Sequence, residues 1–232
     1  MIRVIMVETG TANLASMRAA LQRAGAEVGV ARDAAEVERA PAVVLPGVGT
    51  FGAAMRTLRT RGFDRAIAAR IAADRPTLAV CVGLQVLAEA SDEGGGEGGD
   101  PIGDARSNVA GRTVRSSGAE DAAPGLGIIP GRVRRFGSSA AVRVPQMGWN
   151  RIVPGRSGGR VSAGDAYFAN SYALDPEPAE RAGWTVARGE YGAPFAAAIE
   201  RGSVLGCQFH PELSGAYGAS ILESWVRGVE QC

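Results

Sequence analysis

The chain has 232 residues, 46% of them hydrophobic and 21% charged, which is enough apolar material for one substantial core and too much for a disordered chain. Its 25 basic residues stand against 24 acidic ones for a net charge of +1, so no overall field draws it toward nucleic acid or an anionic membrane. All of the basic residues are arginine and there is one histidine, which excludes a phosphate-loop lysine, a pyridoxal Schiff base, a lysine general base and zinc sites built on several imidazoles.

In chain order, Ile2 to Val7 reads as a first strand, too short and wrongly flanked for an export signal. A helix near Asn13 to Ala24 follows, then strands at Glu27 to Ala31 and Val43 to Leu45. Helical sequence runs from about Gly52 to Ala73, broken near Gly62, and Thr77 to Val80 is the next strand. This is the rhythm of a largely parallel sheet flanked by helices, an α/β fold that puts its chemistry at the carboxyl edge. Periodicity disappears from about 94 to 124, where a glycine-rich loop is expected inside a single domain spanning 1–232. The remainder is mostly β-type: Ile128 to Phe136, Trp149 to Val153, Tyr167 to Leu174, Trp184 to Ala187, Phe195 to Glu200 and Val204 to Phe209. A last amphipathic helix covers about Tyr217 to Val229.

Three cysteines without a C-x-x-C pair argue against a disulfide framework and for a reducing, cytoplasmic setting. Cys81 ends an apolar strand, and Val82 to Leu87 looks like the first turns of a helix, so the thiol stands at a strand-turn-helix elbow. A helix N-terminus there favours a thiolate and offers the Val82 N–H to an oxyanion. A small buried hydrophobe is the competing reading. Pro211 biases His210 toward an extended backbone, and alternation then lets His210 and Glu212 face the same way. A carboxylate can so orient the imidazole while its other nitrogen meets a thiol, which makes a Cys-His-Glu triad possible. A purely structural histidine is the alternative. The run Pro46-Gly47-Val48-Gly49 is either an oxyanion loop or an ordinary tight turn. Cys207 reads as a core residue of the His210 run, and Cys232 as a tail thiol.

Six stretches together resemble the class I (triad) glutamine amidotransferases: LPGVGTFGAAM from Leu45, CVGLQVLAEASDE from Cys81, GLGIIPGRVRRF from Gly125, PQMGWN from Pro145, YFANSY from Tyr167 and GCQFHPELSG from Gly206. Within that family they resemble the glutaminase subunits of imidazole glycerol phosphate synthase. The resemblance implies a flavodoxin-like amidotransferase fold with Cys81 as nucleophile, His210 as proton shuttle and Glu212 as its orienting group. It implies an oxyanion hole shaped by Val48, Gly49 and Val82, and glutamine held by Gln85, Glu93, Ser171 and Tyr172. It implies no cofactor and no metal. The partner would be a (β/α)8-barrel cyclase subunit that receives ammonia, forming a heterodimer for histidine biosynthesis, with Gln146, Met147, Trp149, Asn150, Asn170 and Leu213 on or near its face. Gln146 and Asn170 stand where the family usually has histidine, and Leu213 where it usually has lysine. Residues 8–13 and the glycine-rich insertion also depart from its pattern. Two readings therefore stay open beside the first: a divergent glutaminase feeding another barrel synthase, and a non-catalytic subunit on the same fold.

Overall fold

The computed structural model of the chain describes residues 1–9, 14–94, 122–140, 142–155 and 159–229. Its first part alternates strand and helix: Ile2–Met6 (β1), Leu14–Arg23 (α1), Ala26–Val30 (β2), Ala34–Arg39 (α2), Ala42–Gly47 (β3), Phe51–Thr60 (α3), Phe63–Ala72 (α4) and Thr77–Cys81 (β4). One helical turn, Val82–Gln85 (α5), leads to the short strands Ala88–Ser91 (β5) and Ala123–Pro124 (β6) and then to Ile129–Arg135 (β7). Gln146–Ile152 (β8), Gly164–Asn170 (β9), Tyr172–Leu174 (β10), Pro176–Arg181 (α6), Thr185–Glu190 (β11), Pro194–Arg201 (β12), Val204–Cys207 (β13) and Gly215–Val229 (α7) complete the order.

Seven strands form the central sheet in the order β11-β12-β13-β4-β3-β1-β2. The pairs from β2 through β13 are parallel, and β12 and β11 add antiparallel at one edge. β3 and β4 are buried at every position, as strands covered on both faces must be. The helices bury one stripe each; α3 turns Phe51, Ala54, Met55 and Leu58 inward at helical spacing. A positive φ of 66° at Gly62 ends that helix and sets the direction of α4, at the break expected from sequence. The fold class is the one expected, a mixed α/β sheet, largely parallel, between helices.

Three local features differ from the sequence reading. The helix expected over Val82 to Leu87 stops after one turn. The carbonyls of Val86, Leu87 and Ala88 accept instead from the N–H groups of Leu126, Ile128, Ile129 and Gly127 at 2.9–3.0 Å, so no further helical ladder forms and β5 begins. Tyr167 to Leu174 is two strands rather than one, with β9 pairing to β8 and β10 to β7. The six-residue α2 has too few apolar positions to announce itself; Asp33 caps it by accepting the Glu36 N–H at 2.8 Å. Of the glycine-rich stretch, residues 95–121 lie outside the described residues, as do Gly10 to Asn13 and Cys232. No helix among the described residues is long and apolar enough to cross a membrane.

This topology brings three chain segments to one edge. Gly47 at the end of β3 is in register with Cys81 at the end of β4, and Cys207 on the other side pairs with Val80. The residues just past β13, including His210, thus emerge beside the end of β4.

Candidate active site

Cys81 has φ 54° and ψ −114°, a positive φ that a residue with a Cβ rarely adopts. Holding it costs about 1–3 kcal/mol, met by the surrounding packing. The strain turns the chain sharply from β4 into α5 and leaves the sulfur at the helix N-terminus. Gly83 makes the turn possible: a Cβ there would lie 1.9 Å from the Leu45 carbonyl oxygen. Opposite it, Gly49 adopts φ 93°, so the loop after β3 can bring its backbone against the same space.

His210 is held in extended conformation, with its N–H donating to the Tyr167 carbonyl at 2.9 Å and its own carbonyl accepting from Ser214 Oγ at 2.6 Å. Residues Pro211–Leu213 then form a 3-10 turn rather than a continued strand, and it is this turn that brings Glu212 Oε1 to 2.9 Å from His210 Nδ1. Both side chains are buried. Burial alone would lower the imidazole's affinity for a proton, but hydrogen bonding to Cys81 and Glu212, with the charges of both, outweighs it and pushes the pKa up to about 10. The ring thus sits between sulfur and carboxylate, both of which raise its affinity for a proton.

A cleft of about 310 Å³ opens beside this triad, lined by Val48, Gly49, Cys81, Val82, Gln85, Glu93, Ser171, Tyr172 and His210, together with Pro145, Met147, Ala169 and Asn170. Every position that the sequence assigns to the triad, to the oxyanion hole or to glutamine lines that cleft, except Glu212, which stands behind His210. Glu93 accepts the Phe51 N–H at 2.8 Å, at the first turn of α3. Burial raises its pKa and this hydrogen bond opposes the rise. Burial, then the Glu93 charge, raises the Tyr172 phenol. Gln85 is buried and spends its Nε2 on the Tyr172 carbonyl at 2.8 Å and on Gln208 Oε1 at 3.0 Å, so it braces the cleft wall from within.

The residues assigned to a partner-facing surface divide by strand alternation. On β8, Met147 and Trp149 project outward at 63% and 60% exposure, and Leu213 is exposed nearby. Asn150 is half-buried and donates to the Glu190 carbonyl at 2.9 Å. Gln146 and Asn170, which pair directly across β8 and β9, are buried on the opposite face. Asn170 donates to the Tyr172 carbonyl at 3.0 Å, while its Oδ1 and both amide atoms of Gln146 lack a hydrogen-bond partner. These two residues are therefore part of the chain's interior and not of its outer face. Sequence reasoning missed Gln208, whose signal was a lone amide within the apolar run Val204 to Phe209, and Ser214, which ties His210 to β9 by accepting the Tyr167 N–H at 3.0 Å.

Residues 5–228 match the family described as glutamine amidotransferase class-I. The chain belongs to that family. Among its relatives, the amidotransferase is 37% identical over 99% of its length, and 95% of theirs, to the imidazole glycerol phosphate synthase subunit HisH of Symbiobacterium thermophilum. It is 38% identical to the same subunit of Mycobacterium tuberculosis, over 97% of this chain and 98% of that one. Its fold matches a solved glutamine amidotransferase with a TM-score of 0.65 at 18% identity, covering 97% of this chain and 98% of the other. The PurLQS structure from Thermotoga maritima gives 0.65 at 14% identity, covering 98% and 99%. The likeness to these solved chains concerns the fold alone.

Proposed function

We propose that this amidotransferase is the glutaminase subunit of an imidazole glycerol phosphate synthase. It hydrolyses glutamine to glutamate and ammonia and hands the ammonia to a barrel-shaped cyclase subunit, the two forming a cytoplasmic heterodimer in histidine biosynthesis. The observation that carries the reading is the convergence of Cys81, His210 and Glu212 at a cleft of amino-acid size, in a chain similar throughout to HisH subunits.

In this mechanism the Cys81 sulfur attacks the side-chain amide carbon of glutamine, and the carbonyl electrons move to oxygen. The Val82 N–H at the start of α5, with backbone from the Val48-Gly49 loop, stabilises that oxyanion. The intermediate collapses as the C–N bond breaks. His210 gives its proton to the departing nitrogen, and ammonia leaves a thioester on Cys81. A water molecule, deprotonated by His210, adds to the thioester carbon; the C–S bonding pair returns to sulfur and glutamate departs. Glu212 keeps the ring oriented and stabilises its charge throughout. Gln85, Glu93, Ser171 and Tyr172 hold the amino acid. Ammonia released into water would become ammonium, which is no nucleophile, so a partner must cover the outlet; Met147, Trp149 and Leu213 are the apolar residues available to meet it.

The test is glutamine turnover by the purified chain with and without the histidine-pathway cyclase. Turnover that rises on adding this cyclase is the expected result. Turnover elicited only by a different synthase would remove the proposed partner, and normal turnover by Cys81→Ala would remove the nucleophile.

A further inference from the structure

His210 is not the only side chain held against the Cys81 sulfur. Gln208 is fully buried, and its Nε2 lies 3.7 Å from Sγ, within hydrogen-bonding reach of so large an acceptor. The surrounding network fixes which end of this amide faces the sulfur. The Tyr172 carbonyl can only accept, so the Gln85 atom 2.8 Å from it is the nitrogen. That same nitrogen lies 3.0 Å from Gln208, which must therefore present its oxygen there and its N–H to Cys81. The backbone is equally fixed, since the Gln208 N–H donates to the Ala197 carbonyl at 2.9 Å. Gln208 is thus clamped at both ends with one donor aimed at the reacting atom.

We propose that Gln208 is a further positioning residue of the glutaminase reaction, donating an N–H to the Cys81 sulfur. A negative sulfur accepts such a bond more strongly than a thiol or a thioester sulfur does. The donor therefore stabilises sulfur before attack and again when the thioester breaks and the C–S bonding pair returns to it. It also confines the sulfur to the side of the elbow that faces His210. Glutamine itself is held by other residues, so the bond acts on turnover rather than on substrate affinity. The inference rests on Cys81 being the nucleophile, a point that turnover by Cys81→Ala settles separately.

The test replaces Gln208 by Met, which keeps length but not the donor, and by Asn, which keeps an amide too short to reach. Alkylation of Cys81 by iodoacetamide, followed by mass spectrometry, reads the sulfur without needing a partner or glutamine. At neutral pH both variants should alkylate about tenfold more slowly than the native chain, the size expected for losing a hydrogen bond to a charged group. In the complex with the cyclase, kcat should fall and KM should hold. Folded variants with native alkylation rates overturn the proposal, as does a loss confined to KM. If neither variant folds, the same contact is read in the native chain by the side-chain amide protons of Gln208. One should lie downfield and return upfield in Cys81→Ala; an unmoved signal overturns the proposal.

Discussion

Gly83 lies so close beneath β3 that a single methyl group at its Cα would stand 1.9 Å from the Leu45 carbonyl oxygen. The obstacle is backbone within a buried parallel strand and cannot swing aside. Gly83→Ala must therefore part α5 from β3 or shift the elbow that carries Cys81. We expect it to destabilise the chain by about 1–3 kcal/mol or more, as overpacked cores do, and to depress glutamine turnover beyond what the lost stability explains. Thermal melts alongside kinetics of the folded fraction check this; a variant with native stability and native rate would show that the elbow does not depend on this approach.

The solitary histidine makes the triad's electrostatics directly observable, because the imidazole signals in a proton NMR spectrum have one source. Its pKa, about 10, is raised by Cys81 and Glu212 against the cost of burial. The ring should stay protonated through neutral pH, and its midpoint should fall in Cys81→Ala and in Glu212→Gln, each of which removes a hydrogen bond and a charge that raise it. The sign for stability follows from linkage. A pKa higher in the folded chain than in the unfolded one contributes stability that is complete below the ordinary histidine value of about 6.5. That contribution is lost as pH rises toward 10. Melting temperature should decline across that window in the native chain and decline less in Glu212→Gln. A native imidazole that titrates near its ordinary value would contradict this assignment.

Arg70 supplies a prediction remote from the cleft. Its guanidinium is fully buried with no carboxylate partner among the described residues and donates to the carbonyls of Val37 at 3.0 Å, Ala40 at 2.6 Å and Pro76 at 2.8 Å, among others. Burial, aided by the Arg75 charge, lowers its pKa to about 10, yet it remains a cation at neutral pH and ties the end of α2 to the entries of β3 and β4. Arg70→Met should cost about 3–5 kcal/mol, since it strands several inward carbonyls that the fork had satisfied. Arg70→Lys should recover only part of this, a compact ammonium being unable to span the same acceptors. Denaturant melts of the two variants measure both; equal stability of Arg70→Lys and the native chain would show that charge alone suffices.

Most of the alternating half of the fold was legible because its strands are continuous apolar runs and its helices carry clear stripes, as in Val43 to Leu45 and α3. The elbow was legible for the same reason: Cys81 ends such a run beside small residues. The one-turn length of α5 was not, because the bonds that stop it come from Leu126 to Ile129, more than thirty residues on in the chain. Nor was the inward turn of Gln146 and Asn170. Both are polar and would read as surface residues, and only the register of β8 against β9 puts them on the same buried face as each other. Gln208 escaped notice because its importance lies in what it touches, and a single amide in an apolar run does not declare its acceptor.

Trp149 tests the surface that the proposed synthase requires. It projects from β8 at 60% exposure, with its ring 6.2 Å from that of Tyr167 in an edge-on contact and its tip near Gly215. A side chain so exposed contributes little to the fold, so Trp149→Ala should leave the stability of the isolated chain within about 0.5 kcal/mol. Large aromatic anchors dominate interfaces when they are covered, and the same substitution should weaken association with the cyclase by about 2 kcal/mol or more. Titration calorimetry with native and variant chains separates the two effects. Because Met147 lies two residues earlier on the same outward face, Met147→Ala should weaken association as well, and the pair should combine non-additively if one partner element covers both. Association that is unchanged in both variants would mean that the partner docks elsewhere and leaves the cleft beside Met147 uncovered.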